Sequence, residues 1–242
     1  MKFWAHRGCS QHYPENTQTS FEKAMAIRGL TGIETDIQLT RDGELVIIHD
    51  ERVDRTTEGT GFVKDFSLHE IQSLHIAAGA AKSERILTAA ELLDLLKPRL
   101  DEGLLLNIEL KNSSIPYEGM EEKILDLAAK KGVENSIIYS TFYPRSLEKI
   151  HRLQPDAHLA VLATHASDCL YFAKGGCGAT DIHPFWRCID VPKAELAGRA
   201  VRAWMSGHLY PEKPTGTKLD LAPLEAQGIT DIMMNEPEMY IK

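Results

Sequence analysis

One stretch of the chain, residues 32–49, decides the fold: GIETDIQLTRDGELVIIH. It holds two apolar runs, Gly32–Leu39 and Leu45–His49, that are typical of buried strands. Between them lies Asp42-Gly43, a dipeptide that strongly indicates a tight hairpin. Because a two-residue loop cannot join parallel strands, we expect the second run to return antiparallel to the first as an accessory strand.

Seven further strand-like runs lie along the rest of the chain, and helical segments alternate with them. These runs are Lys2–Ala5, Leu104–Leu110, Ser136–Ser140, Ala157–Leu162, Ala179–His183, Ala200–Met205 and Thr230–Met234. Together with Gly32–Leu39 they make eight strands. The alternation predicts parallel strands with crossover helices, and the 242 residues suit a (β/α)8 TIM barrel forming one domain over residues 1–242. A doubly wound open sheet is the competing architecture.

Local signals predict where several helices begin and end. Thr19-x-x-Glu22 and Thr88-x-x-Glu91 both match a capping box, in which a hydroxyl and a carboxylate bind free backbone N–H groups. The first predicts a helix that stops at Gly29, and the second predicts one that ends at Pro98. Two more helices are expected over Glu118–Lys131, stopping at Gly132, and from Pro144 to about Leu153.

Composition and charge exclude several classes of protein. Hydrophobic residues make up 43% and charged residues 26%, as in ordinary globular proteins. No apolar run approaches the roughly 18 residues of a membrane span, and residues 1–8 lack the apolar core of a signal peptide. The 27 basic and 35 acidic residues give a net charge of −8, and the absence of a basic run disfavours nucleic-acid binding. An acidic total still allows a local cationic site that binds one phosphate.

The cysteine pattern indicates a reducing compartment. None of the four cysteines belongs to a C-x-x-C pair, which favours reduced thiols in a cytoplasmic protein. They are Cys9, Cys169, Cys177 and Cys188.

Acidic residues near the ends of two strands indicate a cation site. Glu34 and Asp36 are two residues apart on one strand, so both point to the same face. Two carboxylates so close together are costly unless a cation lies between them. Glu109, from a later strand, would complete an all-oxygen site that suits Mg²⁺ or Ca²⁺ rather than zinc. The spacing is equally compatible with solvated acids at a polar barrel mouth.

Two histidines accompany these acids. With Asp42-Gly43 as the loop, Asp36 lies directly opposite His49 across the hairpin, and His6 ends the first strand. Imidazoles on either side of a metal make a plausible acid–base pair for phosphoryl transfer. Isolated histidines are more often structural, and we expect this of the others except His183, which ends a strand.

Two cations are candidates for binding a phosphate. Arg7 offers a planar, bidentate set of donors, and Lys111 offers a point charge two residues beyond Glu109.

Short motifs in the first third of the chain carry a resemblance to a known family. They are Ala5-His6-Arg7-Gly8, Pro14-Glu15-Asn16-Thr17, Ser20-Phe21, Ile33-Glu34-Thr35-Asp36, Leu39-Thr40-x-Asp42-Gly43, Val46-Ile47-Ile48-His49-Asp50, Arg55-Thr56-Thr57 and Gly59-Thr60-Gly61. In this order and spacing they resemble the glycerophosphodiester phosphodiesterase family. The resemblance is dense over residues 4–75 and continues more thinly through Glu91-Leu92-Leu93 and residues 107–111.

The resemblance implies a fold, a reaction and a set of site residues. The fold would be the TIM barrel with a small insertion after strand two, at about residues 51–86. The reaction would be metal-dependent hydrolysis of a small-molecule glycerophosphodiester to sn-glycerol 3-phosphate and an alcohol, through a cyclic phosphate. The implied residues are the acid–base pair His6 and His49, the Mg²⁺ or Ca²⁺ ligands Glu34, Asp36 and Glu109, and the phosphate-binding Arg7 and Lys111.

Late in the chain the sequence departs from the family pattern. Family members often end a late strand in Trp-x-Val-Asn, where this chain has Trp204-Met205-Ser206-Gly207. Trp204 could pack on the glycerol carbons or belong to the core, and His183 is a second candidate for the substrate pocket. Asn235-Glu236-Pro237 retains a family turn that we expect to be structural. Residues 166–187 carry little family signal, and we expect their loop to shape the alcohol pocket.

Two other functions fit the same barrel. One is a phospholipase D-like or cyclising lyase that acts on sphingo- or lysophospholipids, although such relatives tend to be secreted and disulfide-bonded. The other is a non-catalytic phosphate-binding barrel, which substitution of His6, His49 or a metal ligand would favour. The alcohol head group, the choice between Mg²⁺ and Ca²⁺ and the oligomeric state are open at this point.

Overall fold

Eleven strands form in the parts of the chain that the computed structural model describes, residues 1–76, 84–205 and 218–241. They are β1 (Lys2–His6), β2 (Gly32–Leu39), β3 (Leu45–Ile47), β4 (His75–Ile76), β5 (Glu84–Arg85), β6 (Leu105–Leu110), β7 (Ile137–Thr141), β8 (His158–Ala163), β9 (Asp181–Pro184), β10 (Arg202–Trp204) and β11 (Asp231–Met234). All nine predicted strands are present, and only the small β4 and β5 were not anticipated.

Eight strands run parallel in the order β10-β11-β1-β2-β6-β7-β8-β9. Two isolated parallel bridges, Ile182–Val201 and Phe185–Trp204, bring β9 against β10 and nearly close the ring. The prediction of a TIM barrel is therefore confirmed, and the open doubly wound sheet is excluded.

The accessory strand β3 pairs antiparallel with β2, as expected, but in another register. Leu39 pairs with Leu45, and the Thr40 N–H donates to the Glu44 carbonyl at 3.0 Å, so the connection is longer than two residues. The Thr40 hydroxyl stabilises this longer loop by bonding Asp42 and the Glu44 N–H, and Gly43 takes a φ of +79°. The prediction that Asp36 lies directly opposite His49 is wrong by one residue.

Helices lie between the barrel strands. They are α1 (Gln18–Met25), α2 (Leu68–Gln72), α3 (Ala89–Asp101), α4 (Met120–Lys131), α5 (Pro144–Leu153), α6 (Ala166–Lys174), α7 (Lys193–Leu196) and α8 (Ala222–Gln227). The predicted capping box at Thr88, the stop at Gly132 and the extent of α5 are confirmed.

The predicted start and stop of α1 are wrong. Thr17 caps this helix two residues earlier than expected, and Ser20 returns the second capping bond that the motif usually takes from Glu or Gln. Thr19 instead donates its hydroxyl hydrogen to Glu84. The helix ends at Met25, before the expected stop at Gly29.

Helix α3 continues through Pro98 to Asp101, contrary to prediction. Proline removes one backbone donor from the helix, but it lies in the penultimate turn, where few later bonds depend on it. Leu100, beyond the proline, is buried in the core and favours continuation of the helix.

Two apolar layers hold the barrel together. The larger cluster joins strands to surrounding helices, and a smaller one fills the barrel interior around Trp4, Ile138, Ala160 and Met233. Trp4 lies so close to Gly32 on the neighbouring strand that a Cβ there would approach its ring to 2.2 Å. Glycine at this position lets the indole fill the interior.

The predicted insertion, at residues 51–86, packs against Val46 of β3 and against Ile48 in a separate apolar cluster. Residues 51–86 contain α2 and the β4–β5 pair, while residues 77–83 lie outside the described parts. The buried residues of this cluster are Val46, Ile48, Val53, Val63, Ile71, Ile76 and Ile86.

Two further findings bear on the composition-based expectations. The four cysteines are free thiols, three of them buried. Among the described helices, none is both long enough and apolar enough to cross a bilayer.

We expect Thr88→Ala to lower the free energy of unfolding by about 1 kcal/mol, because Thr88 Oγ1 accepts from the Glu91 N–H at 3.1 Å at the start of α3. In thermal denaturation this corresponds to a drop of about 2–4 °C in Tm. Thr88→Ser keeps the hydroxyl and is the matched control. An unchanged Tm in the alanine variant would show that the cap contributes little.

Candidate active site

Three carboxylates converge near the C-terminal ends of β2 and β6. Register pairs Asp36 with Glu109, while Glu34 lies two residues before Asp36 on the same strand. All three are buried, and each offers an oxygen within 4.8 Å of the others'. The structure thus brings together the three acids that the spacing singled out.

The chemistry of this acidic cluster fits a hard divalent cation. Burial and the charge of Asp36 raise the pKa of Glu34 well above its usual range. Burial opposes ionisation of Asp36 too, but the charges of His49, Arg7 and Lys111 outweigh it and lower the pKa of Asp36. Asp36 Oδ1 is buried and has no hydrogen-bond partner among the described residues, so a ligand position is available within an all-oxygen set.

Arg7 packs against the acidic cluster from the turn after β1. Its backbone lies in the left-handed region at φ +56°, which lets its N–H donate to the Glu34 carbonyl at 2.9 Å and to Glu34 Oε2 at 3.1 Å. Its guanidinium lies 3.4 Å from Asp36 Oδ2 and donates to Glu15 at 2.9 Å. Such a backbone costs about 1–2 kcal/mol in a non-glycine residue and is often found at functional sites.

His6 is held by a neutral partner. Asn235 Oδ1 lies 2.7 Å from His6 Nδ1, and because an amide oxygen can only accept, Nδ1 carries the hydrogen. His6 Nε2 lies 3.9 Å from Glu34 Oε2. Burial and the adjacent Arg7 charge lower the pKa of His6 to about 3, so the ring is neutral near pH 7.

His49 is held by a charged partner. It lies just beyond β3, and its Nδ1 donates to Asp50 Oδ1 at 2.6 Å. Its Nε2 lies 3.2 Å from the Lys111 ammonium, which also donates to Glu109 Oε1 at 2.9 Å. Both histidines therefore use Nδ1 for a hydrogen bond outside the acidic cluster. Nε2 faces Glu34 in His6 and Lys111 in His49.

A cavity of about 210 Å³ opens between these groups. Both histidines, Arg7, Glu34 and Glu109 line it. Lys111 is not among the lining residues, although it contacts two of them.

The remaining wall of the cavity comes from the other side of the barrel. His183 and Trp204 both line it, as the sequence suggested for a pocket. The Trp204 ring lies 4.7 Å from that of Phe185 and meets Phe142, also a lining residue, edge-on at 6.2 Å. His183 is fully buried, and burial with the nearby Arg202 charge lowers its pKa well below the usual value. Ser206 and Gly207, where the family pattern breaks, lie outside the described residues.

Several functional contacts were not anticipated. Asn235, expected to be structural, holds a candidate catalytic histidine, and Asn16 donates to Asp36 Oδ2 at 3.0 Å. An ion-pair network also lies near His49 and Arg7, in which Arg55 binds Glu15 and Asp50. Asn16, Glu15, Asp50 and Arg55 all belong to the family motifs quoted above, so the resemblance could have indicated them. No rule of sequence spacing predicts which groups they bind.

Known proteins resemble this chain over most of its length. A model of the glycerophosphoryl diester phosphodiesterase family matches residues 6–170. A glycerophosphodiester phosphodiesterase of Caldanaerobacter subterraneus subsp. tengcongensis is 43% identical over 240 residues, covering 98% of this chain and 95% of the relative.

Solved structures share the fold. A glycerophosphodiester phosphodiesterase from Agrobacterium tumefaciens aligns with a TM-score of 0.76 at 22% identity and covers 100% of both chains. A phosphodiesterase of Oleispira antarctica, solved with the product sn-glycerol-3-phosphate, aligns with a TM-score of 0.76 at 24% identity, covering 100% of this chain and 95% of that one.

Proposed function

The chain belongs to the glycerophosphoryl diester phosphodiesterase family, and on this premise we propose that it hydrolyses small glycerophosphodiesters to sn-glycerol 3-phosphate and an alcohol, using His6 and His49 and a divalent cation. It is a phosphodiesterase, a hydrolase of phosphoric diesters. One observation carries the finer proposal: two imidazoles, each bonded at Nδ1, line one cavity with Glu34 and Glu109. The Oleispira antarctica neighbour, bound to sn-glycerol-3-phosphate, is consistent with this product.

Glu34, Asp36 and Glu109 would hold Mg²⁺ or Ca²⁺. When bound, such an ion offsets negative charge on the non-bridging phosphate oxygens, a large electrostatic contribution in this type of reaction. Arg7, on the cavity wall, would also offset the negative charge of the phosphate. Lys111, which donates to Glu109, would do the same.

We assign the base to His6 and the acid to His49 from their partners. Asn235 accepts from His6 Nδ1, so Nε2 has a free lone pair that can take the proton of the glycerol 2-hydroxyl. The Asp50 carboxylate accepts from His49 Nδ1 and orients the ring, so a proton carried on Nε2, in place of the contact with Lys111, can pass to the leaving alcohol oxygen.

The proton balance then closes over two steps. The 2-oxygen attacks phosphorus, the bond to the leaving alcohol breaks, and a cyclic phosphate forms while His6 gains a proton and His49 loses one. Water then opens the ring, with His49 accepting the water proton and His6 returning its proton to the 2-oxygen. Both histidines end in their starting states.

Trp204 and His183 complete the substrate pocket in this proposal. The Trp204 ring, which is tilted by 48° to the Phe185 ring, offers an apolar face to the glycerol carbons. His183 contributes a neutral polar group from the same wall.

The direct test is a panel of glycerophosphodiesters with choline, ethanolamine, glycerol and inositol head groups, and products identified by ³¹P NMR. sn-Glycerol 3-phosphate as the final product supports the proposal. Accumulated cyclic phosphate would favour the lyase, and absence of turnover across the panel would favour a non-catalytic barrel.

We expect 3-hydroxypropyl phosphocholine, which lacks only the 2-hydroxyl of glycerophosphocholine, to be cleaved at least about 10³-fold more slowly. The reason is that an intramolecular nucleophile has an effective molarity far above that of water. Steady-state assays would measure both rates, and competitive inhibition by the analogue would verify that it still binds. Comparable rates would mean that water attacks phosphorus directly.

A further inference from the structure

Arg55 joins two carboxylates that come from distant parts of the chain. Its Nε and Nη2 donate to Asp50 at 2.6 and 3.0 Å, and its Nη1 and Nη2 donate to Glu15 at 2.8 and 2.7 Å. Both pairs are bidentate, the geometry in which a planar guanidinium fixes the orientation of a carboxylate. Arg55 itself lines no part of the cavity.

Each of these carboxylates holds a second group that the proposed mechanism uses. Asp50 Oδ1 accepts from His49 Nδ1, and Glu15 Oε1 accepts from Arg7 Nη1. Arg55 is therefore the central link of a continuous series from the proposed acid to the proposed phosphate-binding guanidinium. The series contains none of the three acids of the acidic cluster.

The two histidines differ in how their backbone is held. His6 is the last residue of β1 and is bonded to Asn235 next to β11, so the barrel itself positions the ring. His49 lies two residues past the end of β3, outside any strand. Gln38 Nε2 donates to the His49 carbonyl at 3.0 Å, and the imidazole itself contacts Asp50 and Lys111. Of the two ring contacts, the one with Asp50 depends on Arg55, which orients that carboxylate.

Charge makes the arrangement dependent on the arginine. Burial alone would raise the pKa of Glu15, but the hydrogen bonds from Arg55 and the charge of Arg7 lower it to about 2. Glu15 and Asp50 are thus both anionic and close enough to share one guanidinium. Without a cation between them they would repel each other and separate the loops that carry His49 and Arg7.

We propose that Arg55 is a positioning residue that sets the distance and orientation of His49 relative to Arg7 by bridging Asp50 and Glu15. The inference rests on the proposed function for its catalytic consequence, while its structural content concerns the His49 ring alone. A displacement of about 1 Å in a catalytic group can cost about 10²-fold in rate, so a local change at Arg55 reaches the chemistry.

The test compares Arg55→Lys with Arg52→Lys in the same loop. Lysine keeps the charge at residue 55 but cannot form either bidentate pair. Arg52 is the matched control, because it is also an exposed arginine paired with a nearby acid, Asp54, at 2.9 Å. Its side-chain partners in the described chain, Asp54 and the Phe62 ring, are not site residues. Arg55→Met, which also removes the charge, is a second variant of similar length.

Three measurements separate positioning from folding. Circular dichroism and Tm verify that each variant folds. Steady-state kinetics on glycerophosphocholine should show kcat lowered about 10- to 100-fold for Arg55→Lys, with a smaller change in KM and no change for Arg52→Lys. ¹H NMR of the His49 ring should show that the Nδ1–H hydrogen, which is bonded to Asp50 in the wild type, exchanges faster with solvent in the Arg55 variants only.

The outcomes distinguish this inference from the proposed function. Unchanged kcat and unchanged exchange of the His49 Nδ1–H in both folded Arg55 variants would overturn it. If the wild type cleaves no glycerophosphodiester, the proposed function fails, and the exchange rate of the His49 Nδ1–H alone decides whether Arg55 positions His49. If one Arg55 variant does not fold, the other is used for both measurements.

Discussion

Replacing either His6 or His49 with alanine should lower kcat by about 10²–10⁴-fold while the barrel stays folded. Each ring would perform one proton transfer in each step, and water is a poor substitute for a positioned imidazole. The fold should survive because His6 contributes one side-chain bond to Asn235 and His49 lies outside the strands. Steady-state assays on glycerophosphocholine measure the effect, with circular dichroism as the check on folding.

The assignment of base and acid adds a sharper expectation for these variants. A substrate with a more acidic leaving alcohol, such as a p-nitrophenyl diester, should restore much of the activity of His49→Ala but not that of His6→Ala. His158→Ala, at the exposed start of β8, is the control and should behave like the wild type. Near-normal hydrolysis of glycerophosphocholine by either site variant would remove that histidine from the mechanism.

Glu34→Gln and Asp36→Asn should each lose divalent-cation binding and activity together. Electrostatic stabilisation of several kcal/mol by a metal corresponds to at least about 10²-fold in rate. Glutamine resembles the protonated form of Glu34, so the Gln variant should fold. The measurements are isothermal titration with Mg²⁺ and Ca²⁺, and activity after exhaustive chelation with each ion added back.

Stability offers an independent readout of the same site. An ion present at 100 times its Kd should raise the unfolding free energy of the wild type by about 2.7 kcal/mol, and this increase should disappear in both variants. Glu44→Gln, an exposed acid in the β2–β3 loop, is the matched control. Full wild-type activity after chelation would contradict metal dependence.

The fold was largely predictable because its main signals are local. Apolar runs and the Asp42-Gly43 turn located all nine strands, since a buried parallel strand needs continuous hydrophobic residues whatever its neighbours are. The errors occurred where several local solutions compete. In the cap of α1, Ser20 makes the bond for which the motif usually has a glutamate. In the hairpin, the Thr40 hydroxyl stabilises a longer loop than Asp42-Gly43 alone indicates.

The candidate site was predictable where chemistry follows strand geometry. Glu34 and Asp36 share a face because side chains alternate along a strand, and the parallel register brings Glu109 beside them. The partners of the histidines could not be predicted in this way. Asn235 is 229 residues from His6 in sequence, and Arg55 reaches Glu15 from an insertion loop, so only the closed barrel brings them into contact.

The weak pairing between β9 and β10 makes this side of the barrel less rigid than the other. In the described chain, two isolated bridges connect these strands, whereas six consecutive residue pairs join β2 to β6. We expect thermal fluctuations of the barrel to be largest between β9 and β10, the strands that carry His183 and Trp204. The proposed metal ligands lie on the closely bonded side of the ring. We therefore expect the wall with His183 and Trp204 to be the part of the cavity that moves to admit leaving alcohols of different size.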